Sequence, residues 1–310
     1  MIYIDLIQND NEFSFYNLKK YNKIINKIIL FFYKITGNVL KINIENKNIL
    51  LITSLNKRTF KNLNKKLLEL NSQIICLSKN LEKNEELRNF LREKDKNILD
   101  GSWLFSCLVQ KVLKYIENQM EMGLEKAEIA ILTNELNDFQ AAWIVKLSKK
   151  YKRLDIVTRE PEKFNRLKEY LYNEFGIELN ISYNERKSLK NSNIILNFNF
   201  VQDAINKFTI FKKAIIINFE SEIQILSKSF SGININNYQI HLPTAYIDYM
   251  VPFQKFPVNI LYESFIYSKT SLENILEKIE KDKLEIQYLI GVRGKIKKQE
   301  YLKVKTEVKK

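Results

Sequence analysis

Two neighbouring residues, Thr158 and Arg159, have the types and the position that suit recognition of a phosphate group. They come at the end of the apolar run Leu154 to Thr158, which predicts a strand, and just before a helix pattern that opens at Pro161. A guanidinium group can hold a phosphate through two parallel hydrogen bonds, whereas a carboxylate at this place would repel it. The alternative is that Arg159 is a solvated side chain beside its neighbouring glutamates.

The segment that follows the preceding strand candidate, Glu128 to Thr133, offers Asn134 as a further ligand contact. A dinucleotide site needs glycine in this loop, because the backbone must turn tightly and approach the pyrophosphate. The run from Thr133 to Gln140 holds no glycine and brings two acidic residues. The loop therefore indicates a lost phosphate site, with Asn137 or Asp138 as the N-cap of the next helix.

Asparagines also stand at the ends of two later strand candidates. Asn197 and Asn199 belong to the run ILNFNF, and the run IIINFE ends with Asn218 and Glu220. In an open parallel sheet, ligands bind outside the carboxyl ends of the strands where the strand order reverses, so these amides could contact a ribose or a base. The competing interpretation is that they cap the segments that follow.

In the first hundred residues, Lys57 and Arg58 are candidates for binding a small anion. They open a predicted helix shortly after the run ILLITS. Backbone N–H groups and two cations would converge at this point, and an anionic ligand would relieve the unfavourable position of the cations at the positive end of the helix dipole. Chance is the competing explanation in a chain so rich in lysine.

The sequence holds one histidine, His241, and two cysteines, Cys76 and Cys107. A single imidazole excludes sites that need two, so we expect no zinc site and no metal cluster. Nothing near His241 resembles a nucleophile elbow, and the sequence has no Walker-type or kinase-type phosphate loop. Each cysteine lies in an apolar run, which predicts a buried, reduced thiol. The sequence assigns no catalytic residue.

Five short apolar runs, rich in Ile or Val, must position the candidate residues of the second half of the chain. Helix patterns at 139–149 and 161–175 separate the first three of these runs. Such alternation predicts an α/β fold in which a right-handed parallel sheet, buried on both faces, is flanked by helices. The five predicted strands span 128–133, 154–158, 177–182, 194–198 and 214–219.

A chain of 310 residues exceeds the usual size of one core, so we expect two lobes. The final segment should hold a helix from Thr270 to about Ile290, opened by a capping box, and then a flexible or edge-pairing tail rich in lysine. The predicted bounds are a mixed α/β lobe at 1–97, a connecting helix at 98–123, a parallel-sheet domain at 124–226 and a C-terminal segment at 227–310.

Residues 127–220, with Thr158 and Arg159 at the end of their second strand, resemble the NADP-binding Rossmann domains of the shikimate dehydrogenase and glutamyl-tRNA reductase type. In those enzymes a strand that ends in Asn-Arg-Thr-like residues uses its arginine to hold the adenosine 2′-phosphate. The resemblance places Arg159 at that arginine and Thr158 where the asparagine stands, and it implies NADP as the cofactor. The chain departs from this pattern at the glycine-rich loop, and no motif in the first lobe matches the catalytic residues of these enzymes.

The net charge of +14 would suit nucleic acid or an anionic surface as a partner. Lysine is abundant together with Ile and Asn, however, which indicates a bias of the whole chain and lysines on solvated helix faces. The N-terminus lacks the pattern of a secretory signal, and the longest apolar run, Ile28 to Tyr33, is far too short to span a bilayer. We therefore expect a cytoplasmic protein without membrane insertion.

Three functions fit these observations. The first is a Rossmann-like binding or regulatory protein that takes a small molecule or a nucleotide at an altered dinucleotide site. The second is an NADP-dependent oxidoreductase with an atypical phosphate loop, and the third is a protein that binds nucleic acid. The sequence leaves the substrate and the oligomeric state open.

Overall fold

The computed structural model describes residues 1–9, 12, 15–16, 23–151, 153–183, 188–247, 253–267 and 271–308. The chain divides into two units, which we call the first and the second unit. The first unit comprises residues 1–101 and 242–268, and the second comprises residues 102–241 and 269–310.

The helices and strands are numbered in chain order. The first hundred residues form β1 (Ile2–Leu6), α1 (Lys23–Thr36), β2 (Leu40–Ile44), β3 (Lys47–Ile52), α2 (Lys57–Leu70), β4 (Ile74–Leu77), α3 (Glu85–Glu93) and β5 (Asn97–Leu99). The next hundred form α4 (Ser102–Cys107), α5 (Val109–Met120), β6 (Ile129–Leu132), α6 (Asp138–Lys150), β7 (Leu154–Val157), α7 (Asn165–Phe175), β8 (Asn180–Ser182) and β9 (Ile194–Asn197). The remainder forms α8 (Gln202–Ile205), β10 (Ile215–Asn218), β11 (Ile233–His241), α9 (Val258–Ile266), α10 (Leu272–Lys281), β12 (Glu285–Gly291), β13 (Gly294–Lys295) and α11 (Lys298–Val308).

The first unit is built on a five-stranded sheet with β1 at its centre, in the order β2-β3-β1-β4-β5. β1 pairs in parallel with β3 and β4, and β4 pairs in parallel with β5, whereas β2 joins β3 as an antiparallel hairpin. When the four parallel strands are numbered by their order in the chain, they follow one another across the sheet as 2-1-3-4, which corresponds to β3, β1, β4 and β5. The winding reverses between β1 and β4, so the carboxyl ends of these two strands flank a topological switch point.

Alternate residues of β1 enter two different cores, because successive side chains of a strand point to opposite faces of the sheet. Tyr3 is buried with Phe253 and Phe256 on one face, and Ile4 is buried with Leu63 on the other. The residues around Phe253 thus complete the core of the first unit. This packing explains why residues 242–268 belong to the first unit, although the sequence suggested one C-terminal segment over 227–310.

The second unit is built on an eight-stranded sheet in the order β13-β12-β11-β10-β9-β6-β7-β8. The strands from β6 to β11 pair in parallel, and β12 and β13 extend the sheet as antiparallel strands. Counted from β6, the six parallel strands lie in the order 3-2-1-4-5-6, which is the strand order of a dinucleotide-binding Rossmann domain. The predicted α/β class, with a second lobe built on a parallel sheet flanked by helices, is confirmed.

All five predicted strands of the second unit are present as β6 to β10, and each is slightly shorter than predicted. The predicted connecting helix over 98–123 differs, since it consists of the two helices α4 and α5. Leu108 interrupts them with a ψ of 12°, and its N–H donates to the carbonyl oxygen of Phe105 at 3.0 Å, one residue short of the α-helical spacing. Both helices belong to the second unit.

The C-terminal segment is more regular than predicted. α10 is capped by Ser271 and ends at Lys281, not near Ile290, because Lys283 adopts a left-handed φ of 52° and the chain then enters β12. The predicted capping residue Thr270 lies outside the described residues. The basic tail forms β13 at the sheet edge and then α11, whose Tyr301 and Val304 are buried and anchor it.

Candidate functional site

The switch point of the second unit lies between β6 and β9, where the strand order reverses. The loops that leave β6, β7 and β9 meet at this carboxyl edge, because the three strands pair in parallel and in register. This edge is where a Rossmann domain binds its ligand. Among the predicted ligand contacts, Asn134, Thr158 and Arg159 all lie here.

The ends of these three strands are joined by hydrogen bonds through Asn134. Its backbone N–H donates to Oδ1 of Asn199 at 3.0 Å, and its own Oδ1 accepts from the backbone N–H of Arg159 at 2.9 Å. Because its backbone donates to one neighbour and its side-chain oxygen accepts from another, this one residue connects the β9, β6 and β7 loops. Asn134 therefore shapes this carboxyl edge of the sheet, and its carboxamide oxygen is already engaged.

The loop after β6 is closed on itself without glycine. The hydroxyl of Thr133 donates to the carbonyl oxygen of Glu135 at 2.9 Å and accepts from the backbone N–H of the same residue at 3.2 Å. Thr133 is buried, which holds the turn in place. The chain thus replaces the conformational freedom of a glycine loop with a side-chain turn.

The N-terminus of α6, where a Rossmann domain seats its pyrophosphate, is occupied by side chains of the protein. Asn137 is the N-cap, as predicted, and forms a capping box with Gln140: each side chain bonds the backbone N–H of the other residue, at 2.9 and 3.0 Å. Asp138 follows in the first turn and adds negative charge. This helix start therefore offers a pyrophosphate fewer free donors and an unfavourable charge.

Arg159 brings a positive charge to this edge. Its side chain is exposed, and its guanidinium carbon lies 5.7 Å from the ring centroid of the buried Phe200. Stacking on an aromatic ring orients the planar guanidinium, whose N–H groups match the geometry of a phosphate. The hydroxyl of Thr158, by contrast, is buried and accepts from the backbone N–H of Glu160 at 3.1 Å, so it stabilises the loop.

Asn199 is one of the strand-end asparagines for which the sequence suggested contact with a ribose or a base. Its Oδ1 accepts from Asn134, while its Nδ2 is buried and has no hydrogen-bond partner within the described part of the chain. A buried donor without a partner is costly, so it marks a place where a ligand oxygen would be stabilised. The run ILNFNF carried the signal, since Asn199 lies just beyond the end of a buried strand.

The predicted contacts Asn197 and Asn218 lie in a different, buried arrangement, which we call the amide ladder. Asn197 Nδ2 donates to Asn218 Oδ1 at 3.0 Å, and Asn218 Nδ2 donates to the Oδ1 atoms of Asn234 and Asn236, both at 2.8 Å. Asn197 also bonds both backbone groups of Phe200. The ladder joins the ends of β9, β10 and β11, which is the structural role that competed with ligand binding.

The predicted anion contacts Lys57 and Arg58 lie at the start of α2, which faces the last turn of α1. Arg58 Nη1 donates to the carbonyl oxygen of Ile35 at 3.1 Å. The negative end of α1 thus compensates the unfavourable position of these cations at the positive end of the α2 dipole. The sequence had suggested that an anionic ligand would do so. Gly37, with a φ of 66°, permits this approach, because a Cβ there would lie 2.5 Å from the backbone nitrogen of Thr59. Lys57 is exposed.

The switch point of the first unit carries a buried ion pair that the sequence reasoning missed. Asp5 accepts a hydrogen bond from the hydroxyl of Tyr16 at 2.6 Å, and Lys255 Nζ lies 3.1 Å from Asp5 and 3.0 Å from Glu12. Burial, followed by the negative charge of Asp5, raises the pKa of Tyr16. The signal in the sequence was an acidic residue at a core-facing position of β1.

Of the remaining candidates, His241 is exposed at the end of β11, and Cys76 and Cys107 are buried and form no disulfide, as predicted. Burial raises the pKa of Cys76, which disfavours the thiolate. Among the described residues, no group of three or more His, Cys, Asp or Glu side chains could hold a metal ion. No helix in the described ranges is long and apolar enough to cross a membrane.

Comparison with known proteins identifies no family for this chain, so its class rests on its fold. No family model matches the sequence, and no curated protein is similar to it. Among solved structures, L-tryptophan dehydrogenase from Nostoc punctiforme matches 100% of this chain and 88% of its own, with 12% identity and a TM-score of 0.36. A dipicolinate synthase chain from Bacillus halodurans matches 85% of this chain and 96% of its own, with 9% identity and a TM-score of 0.39.

Aspartate transcarbamoylase from Trypanosoma cruzi, in complex with carbamoyl aspartate and phosphate, matches 84% of this chain and 82% of its own, with 9% identity and a TM-score of 0.30. TM-scores this low carry no argument about function. The class of the second unit rests on its strand order, which makes it Rossmann-like.

Proposed function

We propose that the second unit binds a small phosphorylated ligand, in the first instance a nucleotide, at the carboxyl ends of β6 and β7. The observation that carries this proposal is the position of Arg159. Its backbone is tied to Asn134 and its guanidinium lies over Phe200, at the strand end where NADP-binding Rossmann domains hold the adenosine 2′-phosphate.

The same site is unsuited to the pyrophosphate and nicotinamide half of a dinucleotide. The capping box of Asn137 and Gln140 occupies the start of α6, and Asp138 adds a negative charge there. A ligand that needs only the Arg159 end of the cleft avoids this conflict. We therefore favour a nucleotide-binding protein. An NADP-dependent oxidoreductase is the second candidate, because Arg159 would bind the 2′-phosphate of NADP equally well.

The two candidates differ in what the nicotinamide half of NADPH contributes to binding. Calorimetric titration of the full chain with 2′,5′-ADP, AMP and NADPH separates them. We expect 2′,5′-ADP to bind at least tenfold more tightly than AMP, since each charge-assisted hydrogen bond contributes about 1.5–3 kcal/mol, and we expect NADPH to gain nothing over 2′,5′-ADP. No binding of any of the three at millimolar concentration would overturn the proposal. NADPH binding tenfold more tightly than 2′,5′-ADP would favour the oxidoreductase.

A further inference from the structure

Helix α1 of the first unit exposes an unusual apolar face. Five large side chains on it are about half exposed: Ile25 (45%), Ile28 (50%), Phe31 (61%), Phe32 (57%) and Ile35 (47%). Residues three, four and seven apart lie on the same side of a helix, so these five form one continuous strip along α1. We call this strip the α1 apolar face.

The α1 apolar face lies opposite the side by which the helix is held in the first unit. Leu30 is buried, and Ile29 and Tyr33 are partly buried against the cluster that contains Tyr3. A helix that only covers its own core would be polar on the other side. The outward side of α1 is instead as apolar as the inward one, which is the mark of a surface that has a partner.

The charges beside this face identify the chemistry of the partner. α1 contains no Asp or Glu in its sequence, KIINKIILFFYKIT, and its exposed lysines Lys27 and Lys34 lie along one border of the strip, next to Phe31. Long lysine side chains can extend from an apolar boundary to reach anionic groups. Among the described residues of α1, the charged side chains beside this strip are cations, which fits a partner that is apolar beneath a negatively charged surface.

A second copy of the chain fits less well. Two such helices face to face would bring their lysines together, and like charges repel. The five half-exposed side chains also offer only about 500 Å², estimated from the 150–250 Å² of an aromatic side chain, whereas a stable dimer buries about 800 Å² on each partner.

We propose that the α1 apolar face binds the surface of an anionic lipid bilayer. Ile28, Phe31 and Phe32 enter the boundary between headgroups and acyl chains, and Lys27 contacts lipid phosphates. Lys34 Nζ, which donates to the carbonyl oxygen of Gln8 at 3.4 Å, exchanges this long hydrogen bond for a lipid phosphate. The helix lies in the plane of the bilayer surface and does not cross it. This surface belongs to the first unit and the cleft at Arg159 to the second, so the two proposals stand or fall independently.

Cosedimentation of the full chain with vesicles tests this proposal. We expect binding to vesicles that contain phosphatidylglycerol and phosphatidylcholine, and at least tenfold weaker binding to phosphatidylcholine alone. The double variant Phe31→Ser/Phe32→Ser should lose at least tenfold in affinity, because each phenylalanine contributes apolar area to the boundary. Leu68→Ser, which removes another exposed apolar side chain from α2, should bind as the unchanged chain does.

Charge reversal separates a specific face from general attraction to a basic protein. Lys27→Glu/Lys34→Glu should weaken binding strongly, whereas Lys61→Glu/Lys65→Glu, which changes the net charge equally at exposed positions of α2, should weaken it little. Equal effects of the two pairs, or no binding to anionic vesicles, would overturn the proposal. Dimerisation seen by light scattering, abolished by Phe31→Ser/Phe32→Ser, would show that a second copy covers the face instead.

Discussion

The backbone N–H of Arg159 donates to Oδ1 of Asn134 at 2.9 Å, so the backbone of Arg159 is held in place by the glycine-free loop after β6. In the Rossmann domains that this unit resembles, the loop after the first strand contacts the ligand itself. Here the same loop acts as a support for Arg159. The glycine-free loop and Arg159 are thus two parts of one arrangement.

Removing the Asn134 side chain should loosen this arrangement. Asn134→Ala deletes the acceptor for Arg159, and we expect a loss of about 1–2 kcal/mol in the free energy of unfolding, as for a partly buried hydrogen bond. Asn134→Asp keeps an oxygen at the same place and should lose less. Urea unfolding measures both variants against Asn173→Ala, an exposed control on α7. An Asn134→Ala protein as stable as this control would contradict the stabilising role of the hydrogen bond between Asn134 and Arg159.

A substitution in the amide ladder should lower the free energy of unfolding more than loss of the hydrogen bond between Asn134 and Arg159. Asn218 is completely buried and exchanges hydrogen bonds with Asn197, Asn234 and Asn236. Asn218→Ala removes one hydrogen bond each from the buried Asn197 and from the half-buried Asn234 and Asn236, so we expect a loss of about 2–4 kcal/mol, more than one hydrogen bond is worth. Thermal and urea unfolding give the value. A loss below that of Asn134→Ala would show that the ladder relaxes or admits water.

The lowered pKa of Lys47 should make the stability of the folded protein depend on pH. Its Nζ lies 3.5 Å from the ring centroid of Phe265, and burial lowers the pKa of Lys47 from 10.5 to about 8. Between these two values the unfolded chain binds more protons than the folded one, so this lysine adds stability as the pH rises. Below about pH 8 both states are protonated and the contribution is constant.

The comparison of Lys47→Met with the unchanged chain isolates this effect, because the tyrosines and Cys76 titrate in both. From pH 7 to pH 10 the unchanged chain should gain about 1–2 kcal/mol relative to Lys47→Met, an amount reduced by solvent screening of a partly exposed group. Lys41→Met on the neighbouring strand is the control. Parallel pH profiles for Lys47→Met and the unchanged chain would contradict the lowered pKa.

The sequence was informative where one local pattern determines the structure. The Ile-rich runs that became β6, β9 and β10 have the pattern of buried strands, and of the two predicted N-cap candidates, Asn137 and Asp138, the first caps α6. The order in which the strands pair is a matter of tertiary contacts, and the pattern along one strand does not contain it. The 3-2-1-4-5-6 order therefore came from the structure.

The contacts that the sequence did not show share a physical cause, which is that a polar side chain can be satisfied by distant parts of the chain. Arg58 contacts the end of α1, and Asn218 bonds side chains of β11. Position after a strand or before a helix cannot distinguish these internal partners from a ligand. Asp5 was missed for the converse reason, because its partner Lys255 is 250 residues away in sequence.

The central claim is that Arg159 holds a phosphate in the cleft of the second unit. The most direct test is the affinity of 2′,5′-ADP for the unchanged chain, for Arg159→Gln and for Arg166→Gln, which removes an exposed arginine on α7, all measured by calorimetry in the same buffer. We expect Arg159→Gln to bind at least tenfold more weakly and Arg166→Gln to bind as the unchanged chain does. Equal affinity of Arg159→Gln and the unchanged chain would contradict the claim.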